Sequence, residues 1–77
     1  MDRSISQNAI TKVFDAMKEE ADMDGLVTAT DPFLAKKTSL HSLTVFYAIH
    51  TLLDRGIIEQ VGRTGSGGVR MLQIKEW

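Results

Sequence analysis

The hydrophobic period of this chain switches at Gly56, and that switch constrains the fold more than any other feature. Before it, Val45, Ala48, Ile49 and Leu52 recur at three- and four-residue spacing, the inward stripe of a helix expected over about Leu43 to Arg55. Ser42 is its expected N-cap, and Gly56 follows Arg55, a cation suited to the negative end of the helix dipole. After the switch, Ile57-Ile58-Glu59-Gln60-Val61 and Val69-Arg70-Met71-Leu72-Gln73-Ile74 read as extended chain. The Gly-rich run from Arg63 to Gly68 joins them, so a β-hairpin is expected.

Upstream, Ser6 is a plausible N-cap for a helix over about Gln7 to Ala21, in which Ile10, Val13, Phe14, Met17 and Ala21 share one face. Asp24-Gly25 stops it, and the partly β-branched run Leu26-Val27-Thr28-Ala29 could form a short strand. Thr30 or Asp31 before Pro32 signals a second helix, about Pro32 to Thr38, with Phe33, Leu34 and Ala35 available to the core. Ser39-Leu40-His41-Ser42 then connects to the helix ending at Gly56. The order helix, short strand, helix, turn, helix, hairpin predicts an α+β, mainly α, winged helix-turn-helix built as a single domain over residues 1–77.

Length and charge narrow the function classes. Seventy-seven residues hold one small core, and with no cysteine the chain has neither disulfides nor thiolate metal sites to support it. His41 and His50, nine positions apart with no carboxylate pair at ligand spacing, do not suggest a metal site, and no cofactor is expected. Gly65-Ser66-Gly67-Gly68 is not a phosphate-binding loop of nucleotide enzymes, since no helix and no Gly-Lys-Ser/Thr follow it. An enzyme is not expected from so small a core. No apolar run approaches the roughly 20 residues that cross a bilayer, and Met1-Asp2-Arg3-Ser4 lacks the apolar stretch of a signal peptide. A cytoplasmic protein is expected. The net charge of −1 conceals an asymmetry: up to Val27 three cations face six anions, and from Thr28 onward six cations face four anions. The basic half is the half that carries the turn, the long helix and the hairpin.

The gap-free segment 34–58 resembles the winged helix-turn-helix families of bacterial transcription regulators. Leu34-Ala35 stand where those families carry a Leu-Ala pair, Ser39 where they often have a turn glycine, and Leu40 at the apolar turn position. Thr44-Val45 match the start of the recognition helix, and Arg55-Gly56-Ile57-Ile58 the step into the wing. Val13-Phe14-Asp15, the run Gly56-Ile57-Ile58-Glu59 and Gly68-Val69-Arg70-Met71-Leu72 extend the likeness, which is most suggestive of the DNA-binding domain of LexA repressors. The resemblance implies double-stranded DNA as partner, a homodimer on a two-fold operator, and a repressor-type role in transcription.

The recognition helix would present Leu43, Thr44, Phe46, Tyr47, His50, Thr51 and Asp54 outward, with His41 and Ser42 at its start. Thr44 and Tyr47 could donate to bases or phosphate, and Phe46 could touch a thymine methyl. No Arg, Lys, Asn or Gln stands on this face. A competing reading takes Leu43, Phe46, His50 and Leu53 as a second, apolar stripe that binds a protein partner or a second copy. Arg63, Thr64, Ser66 and Arg70 would place the wing on the backbone, and Lys36-Lys37 would meet phosphates from the second helix. An ordinary hairpin turn and a solvated lysine pair are the plainer alternatives for these two features.

Overall fold

The computed structural model describes residues 6–64 and 69–76. Helix α1 spans Gln7–Glu20, strand β1 Leu26–Val27, helix α2 Asp31–Thr38, helix α3 Ser42–Asp54, strand β2 Ile58–Thr64 and strand β3 Val69–Ile74. Three helices followed by an antiparallel hairpin make the expected α+β architecture.

Each element begins and ends for a local reason. In α1 the Ser6 hydroxyl accepts the Ala9 N–H at 3.1 Å, and Ala9, Ile10, Val13, Ala16 and Met17 turn inward. The helix stops as Ala21 becomes extended. Asp22 then organises the reversal, its Oδ1 accepting the N–H groups of Asp24 and Leu26 at 2.8 and 3.0 Å. Gly25 takes φ 80°, where a side chain would be strained. Only Leu26 and Val27 of the expected strand pair, with Gln73 and Leu72 of β3.

The Thr30 hydroxyl accepts the Phe33 N–H at 3.2 Å and so caps α2, leaving Asp31 and Pro32 in its first turn. Leu34 and Ala35 are buried as expected, but Phe33 is 46% exposed. A two-turn helix offers the core a narrow face, and Phe33 lies one 100° step outside it. Ser39 takes φ 61°, a left-handed conformation, at the position where the resemblance places a turn glycine. Both its N–H and that of Leu40 turn back to the Ala35 carbonyl, closing α2.

In α3 the four stripe residues Val45, Ala48, Ile49 and Leu52 are at most 1% exposed. Its N-cap is His41, whose Nδ1 accepts the Leu43 N–H at 3.1 Å; Ser42, the expected cap, is the first helical residue instead. At the other end Gly56 takes φ 73° and donates to Leu53, while the Ile57 N–H reaches the Leu52 carbonyl at 3.1 Å. This left-handed closure releases the chain into β2.

The sheet order is β1-β3-β2, antiparallel throughout. Register runs from Ile58↔Ile74 to Thr64↔Val69, with one irregularity between Gln60 and Gly62. Val61 is the extra residue there and is half exposed, the bend of a β-bulge. Ile58, Leu72 and Ile74 close the core formed by Val13, Met17, Val27, Leu34 and the α3 stripe.

Candidate nucleic-acid interface

The side of α3 opposite its buried stripe is open to solvent. Leu43 is 52% and Phe46 37% exposed, and Ser42, His50 and Asp54 are also exposed. Thr44, Tyr47 and Thr51 are half-buried at the flanks of this face. The Thr51 hydroxyl donates to the Tyr47 carbonyl at 2.9 Å, so it is engaged within its own helix. Leu53 packs against the core rather than completing an exposed apolar stripe. The stripe suggested by spacing is therefore reduced to Leu43, Phe46 and His50.

The aromatic groups of this face form one cluster. The Phe46 and His50 ring centroids are 4.4 Å apart, and Tyr47 stands edge-on to Phe46 at 5.7 Å. The Arg70 guanidinium of β3 lies 5.8 Å from the Phe46 centroid and donates from Nη2 to Asp31 Oδ1 at 2.8 Å. One arginine thus joins the hairpin, the first turn of α2 and the outward face of α3. Asp31 was absent from the sequence-based site, because 39 positions separate it from Arg70 and no local pattern links them.

Lys37 also has a partner that spacing did not reveal. Its Nζ lies 2.9 Å from Glu19 Oε1 and 3.5 Å from Glu20 Oε2 at the end of α1. The hydrogen bond to Glu19 raises the lysine pKa above its ordinary value, so the ammonium stays charged but is turned to carboxylates of its own chain. Among the described residues, Lys36 makes no ion pair and is exposed. Ser66 and the remainder of the loop 65–68 lie outside the described residues, as do the side chains of Arg63 and Thr64.

No protein-family model and no curated protein matches the chain. Among solved structures, it is similar to a MarR-family regulator from Neisseria meningitidis, with a TM-score of 0.59 over 94% of this chain. The chain folds as a winged helix. Identity in that comparison is 22%, so the likeness is one of fold, and the match spans 46% of the other chain. The more particular resemblance to LexA repressors gains no support from it. Within the winged helix, α2 and α3 are the helix-turn-helix pair, β2 and β3 form the hairpin that carries the wing, and Arg70 ties the two parts together. No helix among the described residues is long and apolar enough to cross a membrane. No group of three His, Asp or Glu residues among them is placed to hold a metal ion.

Proposed function

We propose that this chain is a sequence-specific DNA-binding transcription regulator that docks through the outward face of α3. The observation that carries the reading is the placement of that face: it is exposed from the first turn of the helix and flanked by the Arg70 guanidinium. Likeness of fold to a MarR-family regulator supports it. In this mode the N-terminal turns of α3 enter the major groove, where Leu43 and Phe46 meet thymine methyl groups and Thr44 and Tyr47 supply hydroxyls. The wing and Lys36 follow the phosphate backbone. Two copies related by a two-fold axis would set their α3 helices in successive major grooves about 34 Å apart.

A second reading is favoured by one specific observation. The outward face of α3 holds apolar and aromatic groups and no Arg, Lys, Asn or Gln, which suits a winged helix that docks onto protein. Titration into a mixed-sequence duplex separates the two. With about four phosphates contacted, affinity should fall roughly 100-fold between about 50 and 200 mM salt. Absence of binding at every salt concentration, with a self-associated form that Phe46→Ala dissolves, would instead establish the protein-docking reading.

A further inference from the structure

Resting on the DNA-binding reading, we propose that Asp31 is an internal stand-in for a DNA phosphate. It holds Arg70 in the free protein and yields it to the backbone on docking. Arg70 is the second residue of β3 and pairs in register with Arg63, so the stem of the hairpin brings two arginine positions together. Its side chain is 17% exposed and that of Asp31 26%, so water screens the pair only in part. One nitrogen, Nη2, makes the 2.8 Å bond, and a guanidinium has further N–H donors for a second oxygen. The guanidinium lies beside the exposed Phe46 ring, on the margin of the face that meets DNA.

Exchange of one acidic oxygen for another leaves the number of ion pairs unchanged. The released carboxylate remains in the first turn of α2, where the helix dipole favours a negative charge. Asp31 therefore lowers affinity for any duplex by competing for Arg70, and also keeps the hairpin stem and α2 in register with each other before DNA arrives. In this scheme Asp31 is a positioning residue and does not itself touch DNA.

The experiment is a salt titration of the full chain into a mixed-sequence duplex for wild type, Asp31→Asn, Arg70→Gln and the double variant. Asp31→Asn should bind roughly three- to tenfold more tightly at low salt. Its plot of log affinity against log salt should keep the wild-type slope to within about 0.3, because Arg70 meets the same phosphate in both complexes. The gain in affinity should vanish in the double variant. Far-UV circular dichroism confirms folding, and Asp31→Ser, a good residue for a helix start, is expected to reproduce the same gain. Unchanged or weaker binding by both folded Asp31 variants overturns the exchange, and so does a gain that persists without Arg70, which would reflect only loss of a repelling charge. If neither wild type nor any variant binds duplex at any salt concentration, the DNA-binding reading itself fails and the exchange with it.

Discussion

Leu52→Ala is expected to cost about 3 kcal/mol of folding stability, the middle of the range for a fully buried leucine. Leu52 is 1% exposed and sits where α3 meets the rest of the core. Removing its isobutyl group takes apolar surface out of contact and leaves a void that helices anchored at both ends cannot close. A domain of this size has about 4–12 kcal/mol in all, and no cysteine is present to staple the chain. The midpoint of thermal unfolding, followed by circular dichroism, should fall by roughly 12–24 °C. A fall of less than about 5 °C would mean that α3 is not seated as described.

Leu43→Glu is expected to have opposite effects on folding and on binding. Leu43 is the second residue of α3 and 52% exposed, so the substitution leaves no cavity. A carboxylate in the first turn complements the helix dipole, and stability should hold or rise by about 0.5 kcal/mol. On DNA the same carboxylate would enter a groove lined by phosphates and base acceptors. Affinity for duplex should fall at least about 100-fold, the consequence of a repelling, desolvated charge. Paired measurements of thermal midpoint and duplex affinity check this. Comparable affinity in the variant would remove α3's first turn from the interface.

The frame of the fold was legible in the sequence where apolar periodicity is long and the stop signals are strong. Val45, Ala48, Ile49 and Leu52 run over about two turns of a helix that a glycine ends, and the structure buries all four. Legibility failed where elements are short or where an unusual group takes a common role. Phe33 sits on a two-turn helix whose inward arc admits Leu34 and Ala35 but not the neighbouring ring. His41 caps α3 with an imidazole nitrogen, although the adjacent Ser42 is the more usual choice. The bulge at Val61 follows from pairing with β3, which the residues of β2 alone do not encode.

Charge was the least legible feature of the candidate interface. The sequence divides into an acidic first part and a basic second part, but folding brings Glu19 and Glu20 onto Lys37, so the asymmetry is partly cancelled within the molecule. Arg70 is answered from within the basic half by Asp31. Both pairs depend on tertiary distance, between α1 and α2 in one case and between β3 and α2 in the other. The exposed α3 face, in contrast, was visible from helical spacing alone, except that Leu53 turns inward and Thr51 bonds to its own helix.

The proposed docking of α3 on DNA is tested most directly by following backbone amide resonances of the labelled protein as a mixed-sequence duplex is added at low salt. Shifts should concentrate at Ser42, Leu43, Phe46, Tyr47 and His50 of α3 and at Arg70 of β3, while Ala9, Val13 and Ala16 on the buried side of α1 stay in place. Shifts confined to α1, or a spectrum unchanged by saturating duplex, would contradict it.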